Sequence, residues 1–178
     1  PDCLGIEVLD LLAKLRDEYP DKFLWIELGL QTIHEDTARY IRRGYPLSCF
    51  EQACADLKAL QIPFIVHTIL GLPGETNIQL LQTMDYLNRI QPFGIKLQLL
   101  HVLKDTDLAD DYLAGKFEAL TFDAYIDLVI SCLAHLSPDI VIHRVTGDGP
   151  KNLLIAPTWS MDKRGVLNEL HHRMKKQG

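Results

Sequence analysis

The chain has 178 residues, a hydrophobic fraction of 47 % and a formal net charge of −6 at pH 7. This length corresponds to about one ordinary domain with a real core, and no apolar run reaches the roughly 18–20 residues of a membrane span. The acidic balance excludes a global basic field for nucleic acid. The four cysteines show no CxxC spacing and no signal peptide opens the chain, so we expect a cytoplasmic protein with buried thiols.

Apolar spacing predicts a first helix over residues 4–18, and a Tyr-Pro-Asp break ends it. The run from Phe23 to Gln31 predicts a β-strand, whose side chains alternate between two unlike faces. One face carries Leu24, Ile26, Leu28 and Leu30, and the other carries Trp25, Glu27, Gly29 and Gln31. This division suits a parallel barrel strand that packs its aliphatic face outward on helices and turns its polar face inward.

Two helices are predicted next, over residues 34–43 with an end at Gly44 and from Ser48 to about Leu60. Ser48 and Glu51 have the spacing of a capping box, with Ser48 as N-cap. Cys54 lies on the apolar stripe of the second helix, so we expect it in the core.

The second strand is predicted from Phe64 and leads into a glycine-rich turn, Gly71-Leu-Pro-Gly-Glu-Thr76. His67 shares the inward face of this strand with two isoleucines. Glycine allows close backbone approach, and the helix that follows offers free N–H groups to a ligand. Because function in such folds sits at the C-terminal ends of strands, we expect it at Gln31 and at this turn.

A second capping box, Thr76 with Gln79, predicts a helix that extends to about Ile90. A third strand is predicted over residues 95–103, with Lys96, Gln98 and Leu100 on its inward face. Three strand–helix repeats in series indicate parallel strands with right-handed crossovers and an α/β fold.

The regular alternation fades beyond Lys104, where we expect a C-terminal α/β extension over residues 105–178. The predicted elements there are helices over 106–114, 122–136 and 160–176 and short strands over 140–145 and 153–156.

Five inward polar residues on the three strands form the first candidate site: Glu27, Gln31, His67, Lys96 and Gln98. Core strands usually carry aliphatic side chains, and buried charges are costly unless they are paired. We therefore expect Glu27, Lys96 and Gln98 to line a substrate cavity. The alternative is a buried Glu27–Lys96 ion pair with hydrogen-bonded amides around it.

Six short motifs follow one another along the chain: Glu27-Leu-Gly-Leu-Gln31-Thr, Arg43-Gly44, Ile69-Leu-Gly-Leu-Pro-Gly-Glu-Thr76, Lys96-Leu-Gln-Leu-Leu-His101-Val, His143-Arg-Val-Thr-Gly-Asp148 and Leu154-Ile-Ala-Pro-Thr-Trp159-Ser. Their order and spacing resemble the radical S-adenosylmethionine (SAM) superfamily over the whole chain. The most similar groups share the core domain of oxygen-independent coproporphyrinogen III oxidase, the Elongator catalytic subunit and the tRNA methylthiotransferases. The last three motifs resemble a bacterial YhcC-type subfamily.

The resemblance implies the second half of a partial (β/α)6 barrel, residues 1–104, that binds SAM across its strand ends. Gln31 would contact the amino-acid or ribose portion of SAM, Arg43 its carboxylate and His67 its ribose, where the family often has Asp. The remaining cofactor-binding positions implied near the adenine are Gly71, Leu72, His101 and Val102.

The CxxxCxxC loop that holds the family's 4Fe–4S cluster is absent from this sequence. We therefore expect the cluster ligands outside this chain, before Pro1, and an N-terminally truncated fragment that is inactive alone. The full-length protein would cleave SAM to a 5′-deoxyadenosyl radical that abstracts hydrogen from an unknown substrate. The alternative function is a non-catalytic binding or interaction module of the same fold; a barrel hydrolase lacks any nucleophile–base pair or metal set here.

Two interactions are expected besides SAM. An open strand edge beside the first strand predicts self-association. Basic residues near the C-terminus, among them Arg173, Lys175 and Lys176, suggest phosphate contacts to tRNA. The alternative, which we favour, is a solvated helix end whose cations complement the helix dipole.

Overall fold

The computed structural model of the protein describes residues 1–147 and 149–177. Asp148, which ends one of the six motifs, lies outside the described residues. Seven α-helices, six β-strands and one 3-10 turn follow one another in this described part. They are α1 Ile6–Glu18, β1 Ile26–Gln31, α2 Glu35–Tyr40, α3 Leu47–Ala59, β2 Phe64–Leu70, α4 Asn77–Ile90, β3 Gly94–Leu99, β4 Val102–Leu103, α5 Asp107–Leu113, α6 Phe122–His135, β5 Val141–Arg144, β6 Leu154–Ala156, the 3-10 turn Thr158–Met161 and α7 Lys163–Gln177.

A parallel four-stranded sheet in the order β1-β2-β3-β5 forms the centre of the fold. The aliphatic residues predicted to face outward, such as Leu30, Val66 and Leu97, are fully buried in the main core. Side chains of α3, α4 and α6 belong to the same core, because their apolar stripes cover this face of the sheet. The opposite face carries the polar residues and is called the inner face below. The α/β prediction is confirmed.

The predicted third strand is wrong at its C-terminal end. The β3 strand stops at Leu99, and Val102–Leu103 forms a separate strand that pairs antiparallel with β6. The physical reason is a second small core, in which Val102 and Ala156 pack against Ala109 of α5. Residues 102–103 therefore leave the central sheet. In contrast, β5 from the predicted extension joins it, and the predicted boundary at residue 104 stays a prediction.

The two predicted capping boxes have opposite outcomes. Thr76 caps α4 in a complete capping box with Gln79, as predicted. Ser48 is not an N-cap: α3 begins at Leu47 after Pro46, and no side chain of the N-cap residue binds the helix. The Leu47 N–H instead donates to the Glu35 carboxylate at 2.6 Å. A residue twelve positions earlier thus satisfies the helix end.

Two further helix predictions differ from the structure in their bounds. The α2 helix ends at Tyr40, three residues before the predicted end, and Gly44 beyond it has φ +88°. The predicted last helix divides into the 3-10 turn and α7. Asp162 separates the two, and its side chain accepts from the Gly165 N–H at 2.9 Å.

Three further predictions concern membrane spans, the burial of cysteines and the open edge of the sheet. Within residues 1–147 and 149–177, no helix is long and apolar enough to cross a membrane. Cys54 and Cys132 are buried and form no disulfide, which confirms the core position of Cys54. Cys3 is exposed and Cys49 is half-buried, so the expectation of buried thiols is wrong for these two residues. The β1 strand lies at one edge of the central sheet, and self-association through that edge stays a prediction.

Candidate functional site

The inner face brings four of the predicted polar residues into one hydrogen-bonded network. Lys96 Nζ donates to Glu27 Oε2 at 2.5 Å, and His67 Nε2 donates to the same oxygen at 2.7 Å. The Gln98 amide nitrogen donates to His67 Nδ1 at 2.7 Å. The Glu27–Lys96 pair of the alternative interpretation therefore exists. It is not fully buried, since the Glu27 side chain is 39 % exposed.

Electrostatics within this network follow from these contacts. The hydrogen bond from Lys96 lowers the pKa of Glu27 from its ordinary 4.5 to about 2, with a smaller contribution from His67 and with burial acting in the opposite direction. Burial lowers the pKa of His67 below its ordinary value, although Glu27 raises it. With Gln98 donating to Nδ1, neutral His67 carries its proton on Nε2. Both ring nitrogens are thus engaged within the protein, and the predicted ribose contact of His67 would have to displace one partner.

Arg144 is a residue of this face that the sequence prediction did not single out. It pairs in register with Lys96 across β3 and β5, and its charge contributes to the lowered pKa of His67. The position was predicted as strand, but no strand–helix repeat tied that strand to the sheet.

Aromatic rings lie below the network, near the N-terminal ends of the strands. Phe23 packs against Trp25 and Phe93 with ring centroids 5.6 and 5.5 Å apart, and Phe93 contacts His143 at 5.8 Å. The inner face is therefore layered, with apolar rings at one end and charged groups in the middle.

A cavity of about 920 Å³ opens at the C-terminal ends of the strands, where the sequence predicted function. Its lining includes residues from the strand ends, from the segment after α2 and from the start of the extension. They are Gln31, Tyr40, Ile41, Arg42, Arg43, Tyr45, Ile69, Leu72, Leu100, Asp105, Thr106, Asp107, Leu108 and Asp111.

Gln31 enters this cavity because the backbone turns at the end of β1. The residue has φ +58°, and the β1–β2 register shifts between Gly29 and Gln31. Tyr45 holds the turn: its hydroxyl donates to the Gly29 carbonyl at 2.5 Å and lies 3.4 Å from Gln31 Oε1. A Cβ at Gly29 would lie 2.6 Å from Gln31 Nε2, so this position leaves the room that the Gln31 side chain fills.

Arg43 forms part of the same wall, with a side chain that is 1 % exposed. Its guanidinium donates to the carbonyls of Tyr45 at 2.9 Å and Thr32 at 2.8 Å, with a longer bond to Leu30. It also pairs with Glu35 at 3.0 Å. These bonds fix the strand-end turn. Most N–H groups of Arg43, which was expected to bind the SAM carboxylate, are therefore already bonded within the protein.

The Gly71–Glu75 turn closes the cavity beside β2. Gly71 has φ +82°, and a Cβ there would come within 2.7 Å of Leu120. Glu75 accepts from the buried Thr32 hydroxyl at 2.5 Å, which links the turn to the end of β1. Leu72 is buried and lines the cavity.

The structure does not bring all the predicted cofactor-binding residues to one cavity. Gln31, Arg43 and Leu72 line the one cavity, whereas His67 and Gly71 lie outside its lining. Val102 is buried in the small second core. His101 lines another cavity of about 360 Å³, where Nε2 lies 3.2 Å from Ser160 Oγ. The individual cofactor roles stay predictions.

The extension supplies a wall of the cavity that no motif predicted. Asp107 pairs with Arg42, and Asp111 accepts from the Tyr40 hydroxyl at 2.5 Å. Lys116 donates to the other oxygen of Asp111 at 2.6 Å. These contacts join α5 to the end of α2 and to Arg42 beyond it, across the cavity mouth. No local sequence signal indicated this wall, because it depends on contacts between segments about 70 residues apart in sequence.

The basic C-terminal residues do not act as one group. Arg173 is engaged by three carboxylates: Glu169 at 2.7 Å, Asp127 at 2.9 Å and Asp123. Arg173 therefore joins α7 to α6. The predicted phosphate contact to tRNA stays a prediction for Lys175 and Lys176.

The cysteines do not fit a 4Fe–4S cluster. Cys54 and Cys132 are buried in the core, and no group of three potential metal ligands occurs among the described residues. The cavity, in contrast, combines amide, charged and apolar groups of the kind that a nucleoside with an amino-acid tail requires.

Comparisons with known proteins agree with the motifs. The sequence model of the Radical SAM superfamily matches residues 1–87, and that of the Radical_SAM C-terminal domain matches residues 92–176. YtqA of Bacillus subtilis is 39 % identical over 178 residues, which are 100 % of this chain and 54 % of YtqA. YhcC of Escherichia coli is 30 % identical over 178 residues, 100 % of this chain and 57 % of YhcC. The chain thus spans about half the length of these curated relatives.

The fold is similar to that of an archaeal Elp3 from Methanocaldococcus infernus, solved with an N-terminal deletion. The TM-score is 0.78 at 16 % sequence identity, over 98 % of this chain and 39 % of that chain. This agreement supports the partial barrel, with β1, β2, β3 and β5 as its parallel strands. The two family matches identify this chain as a member of the radical SAM superfamily.

Proposed function

We propose that this chain forms the SAM-binding part of a radical SAM enzyme that abstracts a hydrogen atom from its substrate. The observation that carries the proposal is the shared cavity: Gln31, Arg43 and Leu72, which the family resemblance assigns to SAM, line one space at the strand ends. Its volume of about 920 Å³ is within the range of ordinary ligand sites.

The residues of this chain would bind and orient SAM. The Gln31 amide is held at the strand end by the backbone turn and Tyr45, and can hydrogen-bond the polar part of the ligand. The N–H groups of Arg42 and Arg43 that their protein partners leave free suit the carboxylate. Leu72, Ile69 and Leu100 offer apolar surface to the adenine.

With a reduced 4Fe–4S cluster as the one-electron donor, bound SAM would supply the 5′-deoxyadenosyl radical that takes hydrogen from the substrate, and methionine would be released. The cysteines of this chain do not fit the cluster, as described above, so its ligands would come from elsewhere. Of the inner-face residues, Gln98 is in register with Ile69 of the cavity lining. Glu27, Lys96 and Gln98 would line the substrate space. Hydrogen bonds within the inner-face network hold these polar side chains in place.

Binding of SAM to the purified chain, measured by isothermal titration calorimetry, is the direct test. Gln31→Asn keeps a residue that tolerates positive φ but shortens the amide, and we expect roughly tenfold weaker binding. Gln61→Asn is the matched control, because Gln61 also has positive φ, at +54°, and does not line the cavity. Equal effects of the two substitutions, or no binding by the wild type, would contradict the proposed site.

Catalysis is tested with a chimera. The part of YtqA outside the match is joined to this chain, reconstituted with iron and sulfide, reduced with dithionite and assayed anaerobically for 5′-deoxyadenosine. We expect the product from the chimera and less of it after Gln31→Asn. A chimera that binds SAM and holds a cluster but makes no 5′-deoxyadenosine would favour the non-catalytic binding module.

A further inference from the structure

The charged groups that line the strand-end cavity do not balance. Two arginines, Arg42 and Arg43, face three aspartates, Asp105, Asp107 and Asp111, so the lining carries one negative charge in excess. The two tyrosines of the lining add no charge at neutral pH, since the pKa values of Tyr40 and Tyr45 are raised. The cavity as built therefore favours a ligand with one net positive charge.

Partners within the protein account for every charge of the lining except one. Arg42 pairs with Asp107, and Arg43 pairs with Glu35. Asp111 receives hydrogen bonds from Tyr40 and Lys116. In residues 1–147 and 149–177, no hydrogen bond or ion pair to the Asp105 carboxylate is found.

The backbone holds Asp105 in place at the cavity wall. The N–H of the preceding Lys104 donates to the Leu153 carbonyl at 2.8 Å. The following Thr106 donates its hydroxyl to the Leu103 carbonyl at 2.8 Å and accepts from the Ala109 N–H at 3.2 Å. Asp105 itself has φ +61°, a conformation that Asp and Asn adopt more readily than most residues. The backbone conformation thus places the exposed Asp105 carboxylate at the cavity lining.

SAM and its demethylated form, S-adenosylhomocysteine, differ in the charge on the sulfur, and a nearby carboxylate interacts with that charge. The sulfonium of SAM adds one positive charge to a zwitterionic amino-acid tail, whereas S-adenosylhomocysteine has a neutral thioether and no net charge. All other hydrogen-bonding groups are common to the two molecules. A lining with one excess negative charge discriminates between them by charge alone.

We infer that Asp105 is a specificity-determining residue that makes the cavity select the sulfonium of SAM over neutral adenosyl thioethers. The inference rests on the proposed SAM site and adds its selectivity. It assigns a role to the segment between β4 and α5, which belongs to none of the six motifs.

The test compares SAM and S-adenosylhomocysteine by calorimetry on the purified chain. Asp105→Asn removes the charge but keeps a residue suited to positive φ, and Asp105→Gly keeps the backbone conformation without a side chain. We expect each variant to bind SAM roughly tenfold more weakly, which corresponds to about 1.4 kcal/mol. Binding of S-adenosylhomocysteine should change by less than about twofold, because a neutral thioether gains little from the carboxylate.

Asp110→Asn is the matched control. Asp110 is an exposed residue of α5 outside the cavity lining, and its substitution changes the net charge of the protein by the same amount. We expect the affinity for both ligands to stay as in the wild type. An equal loss for both ligands in Asp105→Asn, or equal effects of the Asp105 and Asp110 variants on SAM, would overturn the inference. A wild-type chain that binds neither ligand overturns the proposed site itself, whereas equal binding of both ligands by the wild type overturns only the role of Asp105.

Discussion

The inner face of the sheet and the cavity at its strand ends use polar residues in opposite ways. On the inner face, Glu27, His67, Lys96 and Gln98 satisfy one another, and neighbouring strands bring them together. In the cavity, the paired groups lie at the walls, and Asp105 faces the open space without a partner among the described residues. A closed network positions its members, whereas a group without an internal partner is available to a ligand.

The two regions also differ in how far apart their residues lie in sequence. The network joins consecutive strands of one repeating unit, so its members occupy equivalent inward positions. The cavity mouth is held by contacts between the end of α2 and α5, such as Tyr40 with Asp111, 71 residues apart. The shape of the cavity therefore depends on the extension, while the inner-face network depends on the strand–helix repeat.

The largest expected effect concerns Arg43, which lies in the cavity wall but is bonded like a member of the network. Arg43→Met removes the buried guanidinium and leaves three carbonyls without this donor, while Glu35 keeps the Leu47 N–H. We expect the free energy of unfolding in urea to fall by about 2–3 kcal/mol, because buried acceptors lose a charged donor. Arg42→Met is the control: Arg42 is 77 % exposed, and losing a surface ion pair costs under about 1 kcal/mol. Equal losses of unfolding free energy in the two variants would contradict a larger contribution of the buried arginine to stability.

The next effect concerns the Glu27–Lys96 pair. In the wild type the pKa of Glu27 is about 2, below its ordinary 4.5, so the stabilisation is complete above pH 4.5 and is lost as the pH falls toward 2. Lys96→Met removes the main cause, and the pKa of Glu27 should rise toward 4.5. A carboxyl ¹³C NMR titration measures this directly.

A second measurement follows unfolding with pH. The stability difference between wild type and Lys96→Met should be constant near neutral pH and narrow below pH 4.5. Lys14→Met, which removes an exposed pair with Glu18, serves as the control and should leave the Glu27 titration unchanged. A Glu27 titration that is the same in Lys96→Met would mean that the pair does not form in solution.

The smallest effect concerns the donor to His67. Gln98→Glu replaces the amide beside Nδ1 with a carboxylate, which favours the imidazolium and should raise the pKa of His67 above its lowered wild-type value. Ring NMR signals of His67 followed with pH measure the change, and the other six histidines are the internal reference. An unchanged pKa of His67 in Gln98→Glu would contradict the hydrogen bond between the Gln98 side chain and the ring.

Local sequence patterns predicted what depends on neighbouring residues. The alternation in Phe23–Gln31 identified the face that carries Glu27, and the Thr76–Gln79 spacing identified the start of α4. The same capping pattern failed at Ser48 because Glu35, brought near by the fold, binds the Leu47 N–H. The third strand was extended too far because Val102 pairs with a strand more than fifty residues later.

The sequence by itself determined the α/β class, the inward polar residues and, through its motifs, the superfamily, because strand alternation and short motifs are local properties. Only the tertiary structure decided that Arg43 is engaged by backbone carbonyls, that Arg144 lies beside Lys96 and that α5 forms a wall of the cavity. These facts depend on contacts between distant segments, and such contacts form only when the sheet and its extension pack together. The partner of each charge, and hence the surplus charge at Asp105, is a property of that packing.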